Sequence, residues 1–279
     1  EIELKHKLKI GRGKDRVLTT NGMRASLERA KIIGNVKISQ HVDKVINDEI
    51  KASEGMEHLH KKGFSEYVLS KILSVGVLGL KKNKRFVPTR WSITATDDTL
   101  GKLFLKKIRD FSVIENPELF HGEFLGNQYL IMLFPHVWSY ELFELYMPRS
   151  SWNASPEIKA STDYENFYGR KEYASATAGG YYASRLPILE YLNSIKKQAS
   201  VLVIRIETPS YWAGLGVWDV RESVRKALAN KMKFSDENEM KESARKIGKI
   251  KYKFDISDIF KKSRLLNQIK TQKNLRKWF

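Results

Sequence analysis

The sequence predicts an α/β or α+β fold, a mixed sheet with flanking helices in a single main domain. Three observations lead there. Helix-period and strand-period stretches alternate loosely along the 279 residues, the pattern of a sheet covered by helices. Gln128–Phe134 and Trp138–Tyr146 are apolar runs of strand length joined at Pro135-His136, and read as a hairpin. Ala199–Glu207 carries Val201, Leu202, Val203, Ile204 and Ile206, the near-continuous run of a buried strand.

Taken in order, residues 1–40 are basic and irregular, broken by Gly11, Gly13, Gly22 and Gly34. They read as strands or as an arm. His41–Leu73 has helical period, with Val42, Val45, Ile46, Met56 and Leu59 recurring on one face and Gly63 as a break. A short helix from Ser65 follows, apolar at Val68, Leu69, Ile72 and Leu73, and Gly76 and Gly79 mark a turn. Asp97 and Asp98 are expected just ahead of a helix through Leu100, Leu103, Phe104 and Ile108, where either carboxylate can cap the helix or favour its positive end. Residues 148–163 read as a polar loop and Tyr164–Tyr168 as a short strand. Gly179 and Gly180 open a helix over Tyr181–Lys197 with a kink at Pro187, and Val217–Ala229 is a further helix. The organisation expected is a basic arm or strands over 1–40, an α/β body over 41–235, a charged, partly helical tail over 236–271, and a separate peptide over 272–279.

Lys and Arg number 50 against 32 Asp and Glu, a net charge of +18. An excess of that size suits a polyanionic partner, nucleic acid first. It gathers over Lys5–Lys37 and Lys241–Lys277. No apolar run approaches the length of a membrane span, and the charged stretch Glu1–Arg16 does not read as a signal peptide. A cytoplasmic protein with no membrane partner is expected. There is no cysteine, hence no disulfide, thiolate zinc site or Cys nucleophile. No Gly-rich P-loop pattern is present.

Two constellations could carry chemistry. In Arg90-Trp91-Ser92, arginine suits a bidentate phosphate contact and tryptophan can stack on a base. The adjacent carboxylates Asp97 and Asp98 could help hold a divalent ion, though neighbouring acids on a regular element diverge. The other reading makes Trp91 core, Arg90 an ion-pair partner and the acids helix caps. At Gly179-Gly180, backbone N–H groups can face an anion with Arg185 a turn or so inside; the alternative is a tight packing turn. Arg90, Asp97 and Asp98 are therefore catalytic candidates without an assigned role. No metal ligand set is assigned, and the cofactor and the question of catalysis stay open.

The chain ends Gln272-Lys273-Asn274-Leu275-Arg276-Lys277-Trp278-Phe279. One helical turn would put Leu275, Trp278 and Phe279 on one side as an apolar plug, with Gln272 at the rim setting register. This resembles a PIP box, the peptide that docks on DNA sliding clamps (PCNA). The other reading is an amphipathic helix folded on its own core, against which stand the basic flanks, free of acids from Lys261 onward.

Longer stretches resemble the archaeal Nre family of DNA-repair proteins. They are Pro88-Thr89-Arg90-Trp91-Ser92-Ile93-Thr94-Ala95-Thr96-Asp97-Asp98; Glu123-Phe124-Leu125-Gly126-Asn127; Tyr173-Ala174-Ser175 with Gly179-Gly180-Tyr181-Tyr182-Ala183; Gln198–Arg205; and Gly216-Val217-Trp218 with Arg221-Glu222. The resemblance runs in order from about Val42 to Phe279 and is fullest over the family's C-terminal block. It implies a role in DNA repair and in binding PCNA, and with the charge excess the reading is a DNA-repair factor that binds DNA and is tethered to PCNA. The rival classes are an enzyme acting on DNA or a nucleotide, as a metal-dependent nuclease or group transferase using the Arg90 and Asp97 region, and a scaffold without chemistry. The family's cysteine-rich, zinc-finger-like opening segment has no counterpart here, as expected of a short member or of one whose front has been cut away.

Overall fold

The computed structural model describes residues 2–4, 9–12, 20–24, 27–30, 37–212 and 216–271. The backbone gathers into two compact units, residues 1–96 with 212–216, and residues 97–211 with 217–279.

The first unit begins with four short strands in two antiparallel pairs. β1 (Ile2–Leu4) pairs with β4 (Leu27–Ala30), and β2 (Lys9–Arg12) with β3 (Thr20–Arg24). The apolar period over 41–73 resolves into three helices, α1 (Gln40–Asn47), α2 (Ala52–Lys61) and α3 (Glu66–Ser74). Ser39 caps α1 by accepting from the His41 N–H, and the Glu54 carboxylate reaches back to the Lys51 N–H ahead of α2. Val42, Val45, Met56, Leu59, Leu69 and Leu73 are buried as the helical period demands, whereas Val68, expected on the apolar face of α3, is exposed.

The next helix, α4 (Thr89–Ile108), begins eight residues earlier than the sequence suggested at Asp97. Pro88 explains this. Its carbonyl accepts from the N–H groups of Trp91 and Ser92, and a proline at a helix start loses nothing by lacking its own N–H. Asp97 and Asp98 therefore lie in the helix interior and cap nothing.

The second unit is built on a six-stranded sheet of order β10-β5-β6-β9-β7-β8. Its strands are β5 (Glu118–Phe124), β6 (Asn127–Phe134), β7 (Ser139–Tyr146), β8 (Lys159–Glu165), β9 (Ser200–Glu207) and β10 (Lys231–Lys233). All neighbours are antiparallel except β7 and β9. This overturns the hairpin expected between β6 and β7, because β9 lies between them. Ile131 and Leu142 both face Val203, from opposite sides. Proline at 135 is fixed at negative φ and cannot form the tight hairpin turn, which needs positive φ. Leu125 (φ 49°) and Gly126 (φ 79°) supply that turn, so the real hairpin is β5–β6. A Cβ on Gly126 would overlap the Tyr211 backbone. The expected loop over 148–163 likewise ends early, since β8 already begins at Lys159.

Five helices complete this unit. α5 (Ala178–Ser194) starts ahead of the expected Tyr181 and contains Pro187; α6 is Trp218–Leu228. The segment expected as a tail forms α7 (Glu237–Lys251), α8 (Ser257–Lys262) and α9 (Arg264–Thr271). Met240, Ala244, Ile259, Leu265 and Leu266 of these helices pack with Leu130, Met132, Phe143, Leu202 and Ile204 in one apolar cluster. The Glu141 carboxylate of β7 accepts from the Ser263 hydroxyl (2.6 Å) and from the Arg264 and Leu265 N–H groups (both 3.0 Å), pinning the start of α9.

Candidate functional site: a buried arginine–carboxylate centre

Alternation along a strand sends successive side chains to opposite faces. On β9, Leu202, Ile204 and Ile206 face α7–α9. Arg205 and Glu207 therefore point the other way, toward the side where α5 and α6 pack. β7 does the same with Glu144 and Tyr146. The result is a set of charges at the carboxyl ends of the parallel pair β7 and β9, nearly all out of contact with solvent.

Arg205 is the hub. Its guanidinium meets Glu144 at 2.6 Å, Asn127 at 2.8 Å and Glu207 at 3.5 Å, and lies over the Tyr211 ring at 5.2 Å. Asn127 donates onward to Asp219 at 2.9 Å, and the Tyr146 hydroxyl donates to Glu144 at 2.6 Å. Gly180, inside the first turn of α5, sits directly on Glu144, and a Cβ there would overlap that carboxylate. Burial disfavours the Arg205 charge, but the facing Glu144 more than offsets this and holds the group firmly protonated. The acids respond differently. Burial pushes the Glu207 carboxyl up to about 7 and Asp219 up to about 6, with Arg205 only partly countering. Two carboxyl groups that change charge near neutral pH beside a fixed cation are a common property of functional sites.

Two further buried arginines stand in the same unit. Arg185 of α5 bridges Glu165 and Asp98, each at 2.7 Å, and Glu165 also accepts from the Trp138 indole N–H at 3.0 Å. Arg221 of α6 pairs with Asp97. Asp98 also meets Lys102 at 2.6 Å. Asp97, Asp98 and Arg185 are thus gathered by ion pairing within the fold.

The remaining sequence candidates are placed as follows. Arg90 and Trp91 are exposed on the first turns of α4, with the guanidinium 5.3 Å from the indole ring; Ser92 is buried and donates to the Thr89 carbonyl. Gly179 and Gly180 form the start of α5, where Asp163 accepts from the N–H groups of Ala176 (3.0 Å) and Thr177 (2.8 Å). A carboxylate of the chain itself thus occupies the anion-seeking groups of that turn. Gln272, Leu275, Trp278 and Phe279 lie outside the described residues. Among the described residues no three His, Asp or Glu converge as a metal site requires.

Sequence reasoning missed Arg205, Glu144, Glu207 and Asp219. A signal was available: Arg205 stands between Ile204 and Ile206 in a run otherwise fit for complete burial. A charge in such a place must bring its partners with it.

The fold and centre define an α+β protein with a mixed sheet, one face of which carries a buried cluster of charges at the carboxyl ends of β7 and β9. Residues 1–153 match the family description "Archaeal Nre, N-terminal" and residues 165–278 "Archaeal Nre, C-terminal". The chain belongs to the archaeal Nre family, and its N-terminal part is matched as well as the C-terminal block. It is 39% identical over 234 residues to "DNA repair protein NreA" of Haloferax volcanii, covering 83% of this chain and 56% of that one. For "DNA repair protein NreA" of Archaeoglobus fulgidus the identity is 42% over 217 residues, covering 78% and 55%. "DNA repair protein NreB" of the same organism is 38% identical over 218 residues. The chain spans about half the length of the curated relatives it matches. No solved structure matches it. Among the described residues no helix is long and apolar enough to cross a membrane.

Proposed function

We propose that this chain is a DNA-repair factor that binds DNA chiefly through its phosphates and is tethered to the sliding clamp PCNA by a PIP box at Gln272, Leu275, Trp278 and Phe279. The observation that carries the repair role is the extended similarity to relatives named as DNA-repair proteins. The net charge of +18 supports phosphate contact. In this reading Arg90 and Trp91, both exposed, contribute to the DNA surface.

The tether is tested by calorimetry of a Lys270–Phe279 peptide against the clamp of the same organism. Binding is expected, and Trp278→Ala with Phe279→Ala should abolish it, since one buried aromatic anchor is typically worth about 2 kcal/mol or more. A peptide that fails to bind removes the tether. The DNA arm is tested by titrating a labelled duplex at two salt concentrations. Affinity that falls steeply with salt and varies little with sequence is expected.

A second reading, an enzyme, is favoured by one observation: the near-neutral Glu207 and Asp219 beside Arg205. Turnover that is lost in Glu207→Gln while DNA and clamp binding persist would establish it.

A further inference from the structure

We infer that the loop over residues 166–173 is a stacking platform for unpaired bases of a single-stranded nucleic acid. The inference rests on the DNA-binding reading above and goes beyond it by naming the surface and the form of the strand.

Two aromatic rings stand out from this loop. Tyr168 is 82% exposed and Tyr173 44% exposed. An exposed ring on a loose loop would say little, but this loop is held at many points. Arg109 of α4 donates to the Phe167 carbonyl at 2.8 Å and lies over the Phe167 ring at 5.4 Å. Asn166 accepts from the Tyr168 N–H at 3.0 Å, closing a turn onto Gly169. Arg170 donates to the carbonyls of Tyr164 (2.9 Å) and Tyr173 (3.2 Å) and pairs with Asp163 at 3.0 Å.

The rings themselves are also supported from below. Tyr168 and Phe167 meet at near right angles with centroids 5.5 Å apart. Tyr173 stacks on the buried Tyr182 at 5.4 Å, and the Tyr182 hydroxyl accepts from the Ala174 N–H at 2.9 Å. Tyr173 thus has one side braced by the protein, while Tyr168 touches Phe167 and leaves most of its area to solvent. Rigid aromatic area presented this way does nothing for the core. It costs little conformational entropy when a flat partner settles on it.

The charge around the rings selects the partner. Arg170 and Lys171 lie between the two tyrosines in sequence; Asp163 answers the Arg170 charge from below, and Glu172 is the acid on the loop itself. Gly169 packs against Leu105 and Arg109, which places the loop against the second half of α4. There Lys102, Lys106 and Arg109 recur at helical spacing, so they share one face; Lys106 is exposed, and Lys102 is exposed but paired with Asp98. Aromatic faces set among cations suit a strand whose bases are free to stack and whose phosphates stay within reach of lysine. A duplex offers its phosphates but keeps its base faces stacked internally. An apolar protein partner would gain from the rings but would have to desolvate the surrounding cations.

The test uses the full chain and fluorescence anisotropy with a labelled oligothymidylate and a duplex of the same length. Tyr168→Ala with Tyr173→Ala should weaken the single strand by about tenfold or more, with Tyr168→Trp retaining the affinity and duplex binding unchanged. A thermal midpoint close to that of the parent chain is the folding control. If loss of the Tyr173 stack lowers it, Tyr168→Ala alone carries the test, because that ring is almost fully exposed. Equal losses for both DNA forms would overturn the platform, and so would no loss for either, while DNA binding itself would stand. A parent chain that binds neither form at low salt would remove the DNA-binding reading and the platform together. Loss of clamp binding in the tyrosine variants, with DNA affinity intact, would make the loop a protein-docking surface instead.

Discussion

The two faces of the six-stranded sheet solve burial in opposite ways. Toward α7–α9, β6, β7 and β9 present Leu130, Met132, Phe143, Leu145, Leu202, Ile204 and Ile206, and the helices answer with apolar residues. Toward α5 and α6, the same strands bury Ile131, Leu133, Leu142, Val201 and Val203, but at the carboxyl ends of β7 and β9 they present Glu144, Arg205 and Glu207. The first face draws its stability from area removed from water, about 25 cal/mol per Å². The second must offset the desolvation of several charges by mutual pairing, and such pairs seldom exceed the stability of a well-packed apolar replacement. A chain that needed only to fold would carry two apolar faces. The buried charges at the carboxyl ends of β7 and β9 therefore add little that apolar side chains could not supply to stability.

The buried charges depend most on their hub. Arg205→Ala leaves Glu144 and Glu207 buried without their cation and should destabilise by about 3–5 kcal/mol in denaturant unfolding. Leu130→Ala on the other face should cost about 2–4 kcal/mol through the lost transfer energy and the cavity left behind. If Arg205→Ala proved harmless, the charged face would be far more hydrated than its burial implies. Gly180→Ala comes next. Its methyl group would press on Glu144, and about 1–3 kcal/mol should be lost, with relief in Gly180→Ala combined with Glu144→Ala.

The pH dependence sharpens the contrast further. The folded state raises Glu207 from its ordinary 4.5 to about 7 and Asp219 from 3.8 to about 6. The native chain thus holds more protons than the unfolded one, and stability should fall as pH rises through that window, levelling off above about 7. Glu207→Gln should flatten the decline between about pH 4.5 and 7 by about 1–3 kcal/mol in pH-dependent melting. Leu130→Ala should leave the slope alone. The smallest expected effect is on α4: Arg90→Ala should change stability by no more than about 0.5 kcal/mol, as exposed substitutions do, while weakening DNA affinity. A large fall in the melting temperature with affinity intact would make Arg90 a structural partner.

Much of this was legible in the residues. The apolar run in β9 announced a central strand, and the alternation of Val42, Val45, Met56 and Leu59 announced the helices of the first unit. The order of strands was not legible. Local sequence shows that Gln128–Phe134 and Trp138–Tyr146 are strands, but only tertiary pairing decides that β9 separates them. The start of α4 was hidden because Asp97 and Asp98 look like caps, whereas Pro88 supplies the actual start. The charged centre escaped because its members are spread from Asn127 to Asp219, and no spacing rule joins partners so far apart in the chain.

The grip of Glu141 on α9 has a consequence for reach. It fixes the helix that ends at Thr271, and Gln272 opens the clamp-like octapeptide with no spacer between them. A polypeptide extends by at most about 3.5 Å per residue, so four residues of chain add at most about 14 Å of reach. Under the proposed tether the clamp would hold this protein on a short leash. Such a leash gives a high local concentration and a narrow search radius. The factor would then work on the stretch of DNA next to its own ring, and a lengthened linker after Thr271 should widen that territory while diluting its occupancy.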